Sequence, residues 1–253
     1  MIINNPSKEQ IPSLRALWKE AFGDTDEFLD SFFGTAFSPD RSVCIEEDNN
    51  ILSALYIFDC LFEEKRIAYI YAVATKKTAR GRGLCRKLMN FTHNLLKGKG
   101  YMGAILVPSD KGLFEMYEKL GYKTCCFTEE FEVLAQGCPV EINEIDKVEF
   151  AKLRREFLPE KPVIQEGENL DFLESFAKFY TGKDFLLASF EAEGTLIATE
   201  FLGNKEKASS IVCTLGFNKG KFRTQGMSRP FGMYYDFSEG THPTPEYFGL
   251  AFD

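Results

Sequence analysis

The stretch ARGRGLCRKLM, residues 79 to 89, sets Gly81 and Gly83 among three arginines, Arg80, Arg82 and Arg86, and runs on into an amphipathic segment. Glycine lets the main chain turn tightly and come close to a ligand. The first amides of a helix that starts here have no intrahelical acceptor and sit at the positive end of its dipole. Such a junction holds a phosphate through backbone N–H groups, here those of Gly81, Arg82, Gly83, Leu84 and Cys85, with the arginine side chains adding charge. Two common phosphate loops are excluded: G-x-x-x-x-G-K-[ST] is absent, and G-x-G-x-x-G meets Arg86 where its third glycine belongs.

A second constellation follows in DKGLFEMYEKLGY, residues 110 to 122. Asp110 stands where a helix opens, and Leu113, Met116, Tyr117 and Leu120 share one face of it. A tyrosine on such a face is ordinarily a core residue with its hydroxyl tied off; the functional reading is a proton donor. Cys85 adjoins a helix start that lowers a thiol's pKa, yet no base partner is in sight, so no covalent enzyme intermediate is expected. His93 falls on the polar side of its helix, opposite Leu84, Leu88 and Leu95, and is expected in solvent. With His93 and His242 the only histidines and no H-E-x-x-H, no metal site is expected.

Composition bounds the partners. The chain has 253 residues, 44% of them apolar, and a formal net charge of −8. A broad nucleic-acid partner is excluded, because that affinity needs clustered Lys and Arg, and a cationic small substrate is mildly favoured. Seven cysteines without a C-x-x-C pair read as reduced core thiols of a cytoplasmic protein. No basic leader opens the chain and no run of eighteen apolar residues occurs, so neither secretion nor membrane spanning is expected.

The elements that must position these residues run strand, two helices, three strands, helix, strand, helix, strand. Ser7 and Gln10 form a capping box ahead of Ile11, Leu14, Leu17, Trp18 and Phe22. A second helix, DTDEFLDSFFGTAF, precedes the strands RSVCIEE, ILSALYIF and RIAYIYAVAT. Beyond Gly83 the period changes to 3.6, with Leu84, Leu88, Phe91, Leu95 and Leu96 on one face; MGAILVP and KTCCFTEEFEVL return to strand.

Residues 80 to 85 fit [RQ]-x-x-G-x-[GA] up to Cys85, which stands in the place of glycine or alanine. In this, in the strand before it and in the helix after Asp110, where asparagine is usual, residues 1 to 130 resemble the GCN5-related N-acetyltransferase (GNAT) superfamily. The resemblance implies an α/β (α+β) fold: a mixed, mostly antiparallel sheet with helices on both faces. It implies acetyl-CoA as cosubstrate, its pantetheine arm lying between two splayed strands that end near Thr75 and Val107, with main-chain contacts at Val73 and Thr75. An amide near Val73 or Ala74 would stabilise the oxyanion, and Tyr117 would protonate the leaving sulfur. The acceptor is a primary amine of a small molecule or peptide. The alternative is a non-catalytic acyl-CoA-binding or sensing protein.

The second half starts anew. CPVEINEIDKVEF reads as strand and helix, NLDFLESFAKFY as a helix, and residues 184 to 217 as three strands, repeating the order of the first half. RTQGMS, residues 223 to 228, meets the glycine pattern, but Pro230 and the absence of a following helical stripe deny it a cradle. The expected division is 1–133, the acetyl-CoA-binding domain, and 134–253, an incomplete GNAT-like domain. The tail PEYFGLAFD is strand-like. In the similar enhanced-intracellular-survival acetyltransferases a terminal carboxylate enters the active site, which makes Asp253 a candidate base here.

Overall fold

A computed structural model describes residues 1–137, 139–238 and 242–252. In chain order the elements are β1 (Ile2–Asn4), α1 (Ile11–Phe22), α2 (Asp26–Thr35), β2 (Ser42–Glu47), β3 (Asn50–Phe62), β4 (Lys65–Thr75), α3 (Leu84–Gly98), β5 (Gly103–Leu106), α4 (Lys111–Glu118) and β6 (Lys123–Leu134). There follow β7 (Asn143–Ile145), α5 (Lys147–Phe157), α6 (Glu168–Glu174), β8 (Lys178–Gly182), β9 (Phe185–Ala192), β10 (Thr195–Gly203), α7 (Ala208–Thr214), β11 (Lys219–Gln225) and β12 (Arg229–Asp236).

The chain divides into two compact units, one of Met1–Lys123 with Met233–Pro243, the other of Thr124–Gly232 with Thr244–Asp253. This differs from the boundary expected at 133/134. From Thr124 onward β6 pairs with β11 and belongs to the second unit, while Met233–Asp236 of β12 pair with β5 in the first.

In the first unit the strand order is β1-β2-β3-β4-β5-β12, with β4 and β5 parallel and the other described pairs antiparallel. The core gathers the apolar face of the sheet (Ile57, Ile70, Leu106) against Leu84, Leu88 and Met89 of α3 and Tyr117 of α4. The Gln10 side chain accepts from the Ser7 N–H at 3.0 Å, as the capping reading requires, although the first turn is 3-10 and α1 proper begins at Ile11. Thr25 caps α2 by accepting from Phe28 N–H.

In the second unit the order is β6-β11-β10-β9-β8-β7, again with one parallel pair, β10 with β11. Two sequence expectations fail here. NLDFLESFAKFY is helical only to Glu174 and supplies β8 from Lys178; the apolar period-two run FAKFY joins the sheet because Phe179 stacks on Phe150 of α5 at 4.3 Å. Residues 208–214, expected as strand, form α7, burying Ala208, Ile211 and Val212. The connection β10-α7-β11 therefore has the pattern of β4-α3-β5, a helix-bearing link that the sequence reading did not anticipate. RTQGMS lies on β11 and the turn after it, followed by β12 and not by a helix.

Among its described residues the tail forms no strand beyond an isolated parallel bridge between Tyr247 and Pro162. Its residues Tyr247 to Phe252 are buried within the second unit: Val163 N–H donates to Tyr247 O at 2.8 Å, Leu250 N–H donates to Gln165 Oε1 at 3.1 Å, and Phe252 meets Phe172 edge-on at 5.1 Å. Tyr247 donates to Glu200, which a buried Arg154 clasps through two bonds of 2.6 and 2.9 Å.

Candidate active site

The site begins where two strands part. β4 and β5 pair only over Ile67–Tyr69 and Gly103–Ile105, and β4 then runs on to Thr75. A bulge re-aims this free length: Tyr71 faces Tyr56 and Ala74 faces Ala54, so Ala72 and Val73 stand opposite Leu55 alone. Ala72 takes φ +47, a conformation an alanine adopts only under constraint.

Beside the free end of β4 lies a cleft of about 730 Å³, within the usual range for ligand sites. Val73, Ala74 and Thr75 line one wall, and Ser109, Asp110, Leu113, Met116 and Tyr117 line another. Ala21 and Phe22 at the end of α1 contribute as well, two residues the sequence reading did not assign. At the end between β4 and α3 lie Arg80, Gly81, Gly83, Leu84, Cys85 and Arg86.

Gly81 and Gly83 have φ of +79 and +72, and a Cβ on either would meet nothing within 4 Å. Glycine is needed here for the backbone turn, not for room within the protein. The turn delivers the chain into α3, whose first hydrogen bond outside the helix proper runs from Lys87 N–H to Gly83 O at 3.2 Å. None of the amides from Gly81 to Arg86 donates to another described residue. A run of unpaired amides at a helix start, opening into a cleft, is an anion cradle.

The arginines divide. Arg80 lines the cleft and its Nε donates to Thr75 O at 3.2 Å. Arg86 also lines it. Arg82, expected beside the cofactor, is turned away: its guanidinium donates to both Glu47 oxygens at 2.8 and 3.1 Å, and it does not line the cleft. A nearby carboxylate captured it, which sequence spacing alone does not reveal.

Asp110 has extended backbone angles and its carboxylate accepts from Leu113 N–H at 3.0 Å, the N-cap of α4. Aspartate thus opens this helix as asparagine would. Cys85 is half-buried on the cleft wall, and burial pushes its thiol up to about 11. The helix start does not win: desolvation dominates, and the thiol stays protonated at neutral pH.

Tyr117 is 6% exposed and lines the same cleft, its ring meeting Tyr122 at 5.7 Å. Burial pushes its phenol well above the usual range, with the Cys85 thiol a lesser contributor. Its hydroxyl makes no hydrogen bond to a described residue, unlike a core tyrosine whose polar end is satisfied. Asp253 lies outside the described residues.

His93 corrects the sequence reading. It is 6% exposed, its Nε2 lies 2.8 Å from the Tyr122 hydroxyl, and the Tyr235 and Phe237 rings cover it at 4.4 and 5.4 Å. Those rings come from β12 and beyond, 140 residues later, so the buried face of α3 is wider than its own apolar stripe. Phe91 of that stripe remains exposed. Ser53 was also missed: it sits in an apolar strand run, and only the register with β4 brings it behind the cleft-lining residues Ala74 and Thr75.

Known proteins bear on this geometry. Residues 3–125 match the sequence model of the family described as acetyltransferase (GNAT) domain. Those residues are a GNAT acetyltransferase domain, a class whose chemistry is acyl transfer from acyl-CoA. The whole chain is similar in fold to three crystal structures. A GCN5-related N-acetyltransferase from Anabaena variabilis shares 14% identity at a TM-score of 0.73, over 92% of this chain and 72% of that one. A GCN5-related N-acetyltransferase from Kribbella flavida shares 14% at 0.68, over 93% and 71%. Eis1 from Mycobacterium abscessus shares 12% at 0.62, over 88% of this chain and 65% of its own. No curated protein matches the chain. Among the described residues no helix is long and apolar enough to cross a membrane, and no group of three metal-ligating side chains occurs.

Proposed function

We propose that this protein transfers an acetyl group from acetyl-CoA to a primary amine of a small molecule or peptide, by direct attack. One observation carries the reading: a single cleft joins the unpaired amides of Gly81–Arg86, the free edge of β4 and the unbonded hydroxyl of a largely buried tyrosine, which opens into the cleft. The three features match the three parts of an acyl-CoA, its diphosphate, its amide-bearing arm and its sulfur. The amides hold the diphosphate, aided by Arg80 and Arg86. Val73 and Thr75 present main-chain groups to the arm, and a strand N–H beside the thioester carbonyl stabilises charge on its oxygen.

Tyr117 gives its proton to the departing sulfur. Its raised pKa does not forbid this, because the desolvation that lifts the phenol lifts a thiolate beside it too, and the difference between the two sets the transfer. Cys85, a protonated thiol on the wall, takes no covalent part. The second unit is a degenerate copy of the first, in which the lone Gly203 replaces the paired glycines and α7 begins five residues after it. The net charge of −8 favours a cationic acceptor.

The test is a thermal shift with coenzyme A, followed by acetyl transfer to a panel of polyamines, aminoglycosides and lysine peptides. A coenzyme A shift with turnover on an amine supports the proposal. A shift without turnover on any amine favours the non-catalytic binding alternative, and no shift at millimolar ligand removes both.

A further inference from the structure

Ser53 lies on β3 with 0% exposure, and the chemistry proposed above makes no use of it. Its Oγ donates to the Ala74 carbonyl at 2.6 Å and lies 2.9 Å from Thr75 Oγ1. A serine hydroxyl has one proton. With that proton on Ala74 O, Thr75 must be the donor in the second contact, so the two side chains and the carbonyl form a directed chain.

The chain acts at a place where β4 is paired on its β3 side alone. Beyond Tyr69, β4 has lost the strand on its β5 side, and three residues past Tyr69 it carries the Ala72 bulge. Ala74 O and Lys76 N–H both point toward β3, the latter donating to Leu52 O at 2.8 Å. In an extended strand the groups of the residue between them point the other way. The Thr75 N–H and carbonyl therefore face the cleft. Arg80 Nε, 3.2 Å from that carbonyl, agrees with this direction.

We infer that Ser53 is a positioning residue for acyl transfer: by fixing the Ala74–Thr75 peptide from behind, it aims the Thr75 N–H into the cleft. This rests on the acyl-CoA reading of the cleft. The grip on the diphosphate comes from Gly81–Arg86, so Ser53 governs where the acyl end lies, not whether the ligand binds. A misplacement on the order of 1 Å costs about a hundredfold in rate.

The test compares the wild type with Ser53→Ala and with Thr75→Val, which removes the other hydroxyl while keeping strand propensity and serves if Ser53→Ala does not fold. In steady-state transfer both variants lower kcat at least about tenfold while KM for acetyl-CoA stays within about threefold. Hydrogen exchange gives the second readout. In the wild type, coenzyme A slows exchange in peptides covering 70–76 and 80–87; in the variants only 80–87 stays protected. Equal protection of both peptides in wild type and variants, or an unchanged kcat, overturns the positioning role and leaves the acyl-CoA reading standing. No protection of 80–87 in the wild type overturns that reading and this inference together.

Discussion

At the scale of single residues, the site depends on a hydroxyl left without a partner. The Tyr117 ring is buried among Leu113, Met116 and Tyr122, yet its oxygen is bonded to no described residue and stays open to the cleft, free to meet a ligand. Tyr117→Phe should therefore lower acetyl transfer at least about tenfold and leave the coenzyme A thermal shift in place; unchanged turnover would remove the acid role. His93 makes a different kind of prediction. Burial, helped by Lys97, lowers it from 6.5 to about 4, so between those values the unfolded chain binds a proton that the folded chain excludes. Stability is full above about pH 6.5, falls as pH drops and levels off near pH 4, a loss of roughly 3 kcal/mol. Urea titrations from pH 7.5 to 4 should show this slope, and His93→Gln, which can still meet the Tyr122 hydroxyl, should flatten it.

At the scale of elements, the cradle is a property of a turn. A Cβ at Gly83 has room, so Gly83→Ala strains only the backbone, at about 1–2 kcal/mol, and the chain relieves that strain by shifting the start of α3. Coenzyme A affinity measured by titration calorimetry should fall at least about tenfold. Arg82→Ala should change it by less than about twofold, since that side chain is engaged with Glu47. A large loss there would mean that the guanidinium leaves Glu47 to reach the ligand. The turn, its arginines and the helix after Asp110 were readable in the sequence because their chemistry is local: positive φ at glycine, a cap, a 3.6 period. Arg82's partner, Ser53's place behind the cleft wall and the covering of His93 were not, because each depends on register or on residues 35 or more positions away. The misread α7 shows the same limit, since a short apolar run leaves helix and strand undecided until its packing is known.

At the scale of the whole molecule, the two units share one strand order, and each completes its sheet with a strand that follows the other's elements in the chain. In the first unit Met233–Asp236 cover β5, and Gly103 is the glycine that admits the Tyr234 ring: a Cβ there would lie 2.1 Å from the phenol oxygen. A fragment ending at Lys123 therefore lacks a strand and its aromatic cover. It should fail to unfold cooperatively in urea, whereas the full chain does; a sharp transition in the fragment would show that β12 is dispensable. Sequence gave no sign of this arrangement, because nothing local marks where a strand finds its sheet. The site itself lies within the first unit, and one measurement bears on it most directly: amide exchange across Gly81–Arg86 with and without coenzyme A. The account predicts that micromolar to millimolar coenzyme A protects these amides; binding that leaves them unprotected, or no binding at all, contradicts it.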